Sequence, residues 1–132
     1  MSASGTLRLV APLAGWSTAL AEAPDEVFAA RLLGDGVAID PTAGTLHAPC
    51  DAEIVLLPAS RHAVTLRTAA GCEVLLHVGI DTVTLGGEGF EAHVREGDRV
   101  RAGDALLTFD LDFLARRARS VLTPIIITTE SG

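Results

Sequence analysis

Two histidines, His62 and His77, differ from the other two in this chain because each belongs to an otherwise apolar segment. His77 lies in V-L-L-H-V-G-I-D-T (residues 74–82), and His62 opens H-A-V-T-L-R (62–67). A buried imidazole needs a partner for each ring nitrogen. Two neighbouring imidazoles could bind a metal, or one ring nitrogen could act as a nucleophile and carry a covalent intermediate.

The residues between the two histidines predict a β-hairpin that brings the rings together. They read as a strand, a T-A-A-G turn (68–71) and a second strand. With an even-length loop centred between Ala69 and Ala70, His62 lies directly opposite His77, and the two Cβ atoms are ~5 Å apart on one face of the sheet. An odd-length loop would break this pairing, because a one-residue slip moves side chains to opposite faces.

The residues alone leave three interpretations of the histidine pair open. One ring could attack phosphorus while the other donates a hydrogen bond to the phosphoryl oxygens. The pair could instead bind zinc with Asp81 as a third ligand, since two protein ligands are too few for a stable site. Both could also be core histidines with satisfied hydrogen bonds. We interpret His47, before Ala-Pro, as an edge residue, and His93, in E-A-H-V-R-E, as a surface residue.

Composition and charge exclude several functions. The formal net charge is −7 and the isoelectric point about 4.9, which argues against nucleic acid as a partner, because phosphate contacts need a basic face. All ten basic residues are arginine, and the absence of lysine excludes Walker-A phosphate binding, Schiff-base catalysis and attachment of biotin or lipoate. Cys50 and Cys72 form no C-x-x-C, so we expect reduced thiols and a cytoplasmic protein. No apolar run approaches ~18 residues, so we expect no membrane insertion.

Short apolar runs recur about every 8–12 residues between turns that contain Gly or Pro, a pattern typical of an all-β protein. We predict an antiparallel β sandwich of barrel-like form, with one or two short helices, as a single domain over residues 1–132. The predicted strands are 6–11, 15–20, 36–39, 45–48, 52–57, 62–67, 73–79, 90–94, 105–109 and 124–128. One helix is predicted from Pro24 to Gly34, and another over 114–119 with Asp110 or Asp112 as its cap.

Residues 94–106, V-R-E-G-D-R-V-R-A-G-D-A-L, resemble the hammerhead turn of biotinyl and lipoyl carrier domains. A carrier domain attaches its cofactor to a lysine, which this chain lacks. The repeat therefore predicts only structure, namely two tight turns at Gly97 and Gly103 between short strands.

The sequence of the histidine region resembles that of a known protein family. The block H-A-V-T-L-R…G-C-E-V-L-L-H-V-G-I-D-T-V-T-L-G-G-E-G-F is similar to the active-site block of glucose-type enzyme IIA of the bacterial phosphoenolpyruvate:sugar phosphotransferase system. Further matching blocks follow in the same order and extend the resemblance over nearly the whole chain. They lie at residues 24–29, 34–41, 48–54, 94–104, 109–112 and 123–127.

The resemblance implies a phosphotransferase component that works as a phosphohistidine relay of sugar uptake in the cytoplasm. The carrier protein HPr would donate a phosphoryl group to Nε2 of His77. The IIB domain of a glucose- or N-acetylglucosamine-type permease would receive it. His62 matches the supporting histidine, Ser60 the hydroxyl that can hydrogen-bond it, and Asp81 the acidic neighbour of the site. Gly79 is expected to leave room beside the ring of His77.

The resemblance also bears on docking, cofactors and context. Phe28 and Val83 match apolar rim positions that dock partners. No cofactor is implied, and zinc would bind His62 and His77 only where a partner supplies another ligand. Residues 48–50 (A-P-C) and 117–123 (R-x-R-S-x-x-T) look most similar to the N-terminal IIA domain of fused IIA–HPr–enzyme I proteins.

Two other functions stay open beside the relay. A regulatory binding module would use the same site, with the phosphorylation state as its signal. A metal-dependent hydrolase of a related sandwich fold would use His62 and His77 as ligands.

Overall fold

The structure, a computed structural model, describes residues 9–20 and 35–128, and within them the chain forms mainly β-strands. The strands are β1 Gly15–Ala19, β2 Asp35–Pro41, β3 Thr45–His47, β4 Ala52–Leu56, β5 Ala63–Arg67, β6 Glu73–His77, β7 Phe90–Ala92, β8 Arg99–Val100, β9 Ala105–Phe109 and β10 Thr123–Thr128. A 3₁₀ helix, Thr82–Leu85, follows β6, and one α-helix, α1 Leu111–Arg117, follows β9. None of the described helices is long and apolar enough to cross a membrane.

The strands form two antiparallel sheets that face each other across one core. The larger sheet has the order β1-β2-β10-β6-β5-β4-β8, and the smaller has the order β3-β9-β7. Alternate residues of both sheets point into the shared core, which includes Leu66 and Leu76 from the larger sheet and Leu107 from the smaller one. The predicted antiparallel sandwich is confirmed, and its two sheets stay separate rather than closing into a barrel.

Most predicted strands are present, with ends displaced by one or two residues. The β8 strand was not among them, and residues 9–11 of the strand predicted at 6–11 are not a strand. The helix predicted from Pro24 to Gly34 lies outside the described residues. The other predicted helix, over 114–119, begins and ends earlier, at Leu111 and Arg117. Asp110 caps it, because its carboxylate accepts a hydrogen bond from the Phe113 backbone N–H at 3.0 Å.

Gly97 and Gly103 form the two tight turns that the V-x-x-G repeat predicts. Both adopt positive φ angles, +95° and +96°, that glycine tolerates without strain. In each turn an aspartate carboxylate, from Asp98 or Asp104, accepts a hydrogen bond from a backbone N–H three residues earlier, at 2.9 Å. The repeat is therefore a structural device at the edge of the sandwich.

The register predicted for the β5–β6 hairpin is wrong by one residue. His77 lies opposite Ala63, not His62. The loop has three residues, 69–71, because the Thr68 N–H donates to the carbonyl of Cys72 and Gly71 occupies the third position with φ +91°. A three-residue loop that ends in a left-handed glycine is a common hairpin connection, and its odd length produces the slip.

Candidate functional site

The rings of His62 and His77 are in contact despite the one-residue slip. Their centroids are 4.8 Å apart and their planes meet at 80°, an edge-to-face arrangement. His62 lies just before β5, where the chain bends, and Arg61 before it has a left-handed backbone with φ +56°. Because His62 is outside the regular strand, its side chain does not follow the strand's strict alternation of faces. The two histidines thus meet through this bend at the strand end rather than through strand pairing.

His77 is oriented by the backbone of its own strand end. Its Nδ1 lies 2.8 Å from the carbonyl oxygen of Gly79, which can only accept a hydrogen bond. Nδ1 therefore carries the proton, and in the neutral ring the lone pair lies on Nε2. The ring is half-buried, so it is both held by the protein and reachable from solvent.

Only glycine suits the position of Gly79, whose carbonyl accepts this hydrogen bond. Both its backbone conformation and the space around its Cα exclude a side chain. Its φ is +76°, and a Cβ atom built there would lie 2.6 Å from the Thr82 methyl and 3.0 Å from the Ser120 carbonyl oxygen. The hydroxyl of Thr82 donates to the Val78 carbonyl at 2.6 Å and closes the turn. Gly79 was expected to leave room beside the imidazole, but its close neighbours in the structure are Thr82 and Ser120.

His62 has a different environment from His77. It is buried, with 7% of its surface exposed, and its Nδ1 lies 2.5 Å from the Ser60 hydroxyl. Burial, followed by the charge of the neighbouring His77, lowers the pKa of His62 from 6.5 to about 4. The ring is therefore neutral at physiological pH. If the Ser60 hydroxyl donates to Nδ1, the proton of His62 lies on Nε2.

Asp81 borders the site on the turn that follows His77. Its backbone is left-handed with φ +61°, and it precedes the 3₁₀ helix. Its carboxylate lies 3.8 Å from the guanidinium of Arg119, the last residue of the helix predicted over 114–119. The structure places Arg119 beyond that helix, next to Ser120, whose carbonyl accepts a hydrogen bond from the Ile80 N–H. No local sequence pattern indicates this pair, because the two residues are 38 positions apart.

The apolar residues expected at the rim have different outcomes. Val83 lies on the 3₁₀ helix that follows the turn after His77, and 56% of its surface is exposed. Phe28 lies outside the described residues. The G-G-E-G segment packs beside Ser60, since a Cβ on Gly87 would be 3.7 Å from the Ser60 carbonyl oxygen.

A metal site would need more ligands than this region offers. Within residues 9–20 and 35–128, no group of three or more His, Cys, Asp and Glu side chains is arranged to hold a metal ion. His62 and His77 alone are too few for a zinc site built from protein ligands. The other histidines are elsewhere: His47 is at the end of β3, and His93 is exposed, with its Nε2 2.6 Å from the Thr108 hydroxyl.

Comparison with known proteins agrees with this geometry. Residues 7–132 match the family described as "phosphoenolpyruvate-dependent sugar phosphotransferase system, EIIA 1". The chain belongs to this EIIA family. It is accordingly a phosphotransferase component that relays a phosphoryl group through a histidine in sugar uptake, as the resemblance implied.

Curated relatives place the EIIA domain both alone and in fusions. The domain is 52% identical over 120 residues to the glucose-specific EIIA component of Bacillus cereus, covering 91% of this chain and 73% of the relative. It is 47% identical over 128 residues to the mannose-specific EIIBCA component of Corynebacterium glutamicum, covering 97% of this chain but 19% of the relative. The EIIA domain therefore has relatives that carry further domains in the same chain.

Solved structures show the same fold. The glucose permease IIA from Mycoplasma capricolum superposes with a TM-score of 0.92 at 43% identity, covering 95% of this chain and 81% of that chain. A protein described as a putative peptidase M23 from Pseudomonas aeruginosa gives a TM-score of 0.57 at 16% identity, covering 94% of this chain and 46% of that chain. At such low identity the second likeness shows the fold alone, so the hydrolase alternative gains no support.

Proposed function

We propose that His77 is the residue of this EIIA domain that accepts the phosphoryl group. Phospho-HPr is the donor, and the IIB domain of a glucose- or N-acetylglucosamine-type permease is the acceptor. In the first step the bond from phosphorus to the donor nitrogen breaks as a bond to Nε2 of His77 forms. In the second step the bond between phosphorus and Nε2 breaks, and the phosphoryl group passes to the IIB domain. This transfer leaves His77 with a neutral ring and a lone pair on Nε2.

The hydrogen bond from Nδ1 of His77 to the Gly79 carbonyl carries this proposal. It fixes the tautomer in which Nε2 holds the lone pair, and a nucleophilic nitrogen must be unprotonated. The same bond restricts rotation of the ring, so Nε2 is held in one direction when the donor docks. Phosphoryl transfer depends mainly on positioning and charge stabilisation, which this arrangement supplies.

His62 would stabilise the transferred group. Its ring touches that of His77, and with Ser60 donating to Nδ1 its Nε2–H can donate to a phosphoryl oxygen. A neutral donor suits a relay, because a permanently charged imidazolium would hold the phosphoryl group more tightly. The lowered pKa of His62 supports this neutral role.

The surface around the site would receive both partners in turn. Val83 offers an exposed apolar contact, and Phe28 is a second candidate from the sequence. The acidic charge of the chain favours basic partner surfaces and speeds their encounter. We further propose that the domain works in the cytoplasm, that residues 1–132 form one domain, and that regulatory partners could bind the same face.

Two finer proposals depend on other chains. The domain is proposed to be the N-terminal part of a fused IIA–HPr–enzyme I protein, on the likeness of the segments at 48–50 and 117–123. The domain itself is proposed to need no cofactor. Zinc would bind His62 and His77 only with a ligand from a partner, and no step of the relay uses it.

The test is phosphorylation in a reconstituted relay. The chain is incubated with radiolabelled phosphoenolpyruvate, enzyme I and HPr, and acid-labile phosphate on the chain is measured. We expect His77→Ala to abolish labelling and His93→Ala, a surface histidine outside the site, to leave it unchanged. Labelling of the His77→Ala variant at the wild-type level would refute the assignment.

A further inference from the structure

Arg119 is the cation that the fold places against the carboxylate at the edge of the histidine site. Its Nη1 lies 3.8 Å from Oδ2 of Asp81, and the two side chains are 61% and 53% exposed. The Ile80 N–H donates to the Ser120 carbonyl at 2.9 Å, which ties the segment carrying Arg119 to the turn carrying Asp81. This backbone hydrogen bond keeps the two segments that carry the pair next to each other.

The position of Asp81 gives this pair a consequence for His77. Asp81 lies two residues after Gly79, whose carbonyl holds the His77 ring. The turn between them is tight, because the Thr82 hydroxyl donates back to the Val78 carbonyl. A residue with a negative carboxylate thus lies on the same turn that positions the proposed phosphoryl acceptor.

A carboxylate there opposes phosphorylation of His77. The incoming phosphoryl group brings about two negative charges, and like charges close together raise the free energy of the charged state. A guanidinium paired with the carboxylate neutralises part of its charge and so offsets that repulsion. Within the described residues, no other cation lies within 4 Å of the Asp81 carboxylate.

We propose that Arg119 is a positioning residue that acts through Asp81 to set the phosphoryl-transfer equilibrium of His77. Arg119 makes the phosphorylated state easier to reach, while Asp81 keeps it from becoming too stable to pass on. This inference rests on the proposed function, since it requires a phosphoryl group on His77. It assigns Arg119 a role that differs from that of Arg116 and Arg117. Those two residues lie in the last turn of α1, where their positive charges interact favourably with the helix dipole.

The test measures an equilibrium rather than a rate. The chain is mixed with HPr and phospho-HPr at fixed total amounts, and the phosphorylated fraction gives the equilibrium constant for transfer. Because both side chains are half-exposed and screened, Arg119→Gln is expected to lower this constant by about two- to five-fold. Asp81→Asn should raise it, and the double variant should resemble Asp81→Asn. Arg119→Lys keeps the charge and should restore a value near wild type.

Arg116→Gln is the matched control. It removes one positive charge three residues before Arg119, and it leaves the ion pair between Arg119 and Asp81 in place. Equal constants for Arg119→Gln and wild type would overturn the inference, and so would equal decreases for Arg119→Gln and Arg116→Gln. Both results leave His77 phosphorylated and the proposed function intact. A wild-type chain that takes no phosphate from phospho-HPr would instead overturn the proposed function, and this inference with it.

Discussion

The ring of His62 meets the ring of His77 edge to face, with 4.8 Å between their centroids. The two rings have different hydrogen-bond partners: a backbone carbonyl for His77 and the Ser60 hydroxyl for His62. A carbonyl can only accept, whereas a hydroxyl can donate or accept. Neighbouring residues of the same type can therefore hold different tautomers, one suited to attack and the other to donate.

Removal of the Ser60 hydroxyl is expected to slow onward transfer to the IIB domain. Without it, Nδ1 of His62 loses the donor that keeps the proton on Nε2, so fewer molecules offer Nε2–H to the phosphoryl group. We expect Ser60→Ala to slow transfer by about three- to ten-fold, the equivalent of one hydrogen bond, and Ser60→Thr to stay near wild type. Quench-flow transfer and ¹⁵N shifts of the His62 ring measure the two effects. Unchanged ring shifts in Ser60→Ala would show that Ser60 does not set the tautomer.

Replacement of His62 should separate acceptance from donation. His62→Ala keeps Nε2 of His77 and its Gly79 hydrogen bond, so it should still accept phosphate from phospho-HPr. Transfer to the IIB domain should fall by about 100-fold, because the donor to the phosphoryl oxygens is lost. Single-turnover transfer from the phosphorylated variant gives the rate, with His93→Ala as control. Onward transfer at the normal rate would remove His62 from the mechanism.

Replacement of Gly79 should disturb both stability and the site. Gly79→Ala forces a Cβ atom against Thr82 and the Ser120 carbonyl at a φ of +76°. We expect a loss of more than about 2 kcal/mol in the free energy of unfolding. Gly86→Ala is the control, since Gly86 has φ +62° but no atom within 4 Å of the added Cβ, and it should cost about 1 kcal/mol. Equal losses in urea unfolding would mean that the contacts at Gly79 do not matter.

The lowered pKa of His62 predicts a loss of stability in mild acid. The folded ring has a pKa of about 4, against 6.5 for an ordinary histidine, so the unfolded chain takes up the proton first as the pH falls. The contribution of the neutral, buried ring to the free energy of unfolding is fully present above about pH 6.5, and it is lost as the pH falls toward about 4. Between pH 7 and pH 5 the loss is roughly 2 kcal/mol.

Urea unfolding of the wild type and of His62→Gln across this range isolates the effect. The difference in unfolding free energy between the two proteins should shrink as the pH falls, because glutamine does not titrate. Parallel curves would show that His62 contributes nothing to the acid sensitivity.

The fold could be predicted from the sequence because its signals are local. Alternating apolar residues mark the strands, and glycine marks the turns at 97 and 103. The hairpin register could not be predicted, since T-A-A-G allows loops of two or three residues and only hydrogen bonding with Cys72 selects three. The prediction that the two rings meet was right, but its stated reason, direct pairing across the hairpin, was wrong.

The site was predictable only where its residues lie close in sequence. Ser60, His62, His77 and Asp81 fall in one segment of 22 residues. The structure joins the first three through a hydrogen bond and a ring contact and places Asp81 on the turn that follows His77. Arg119 reaches the site through long-range contacts between the turn after β6 and the segment before β10. No periodicity or motif in the sequence encodes that contact, so only the tertiary structure could reveal it.

The most direct test locates the phosphoryl group on one atom. The uniformly ¹⁵N-labelled chain is phosphorylated with phosphoenolpyruvate, enzyme I and HPr, and long-range ¹H–¹⁵N spectra are recorded on the imidazoles. We predict that the phosphoryl group lies on Nε2 of His77 while Nδ1 keeps its proton toward the Gly79 carbonyl. A phosphoryl group on His62, or on Nδ1 of His77, would contradict the role that this hydrogen bond is given.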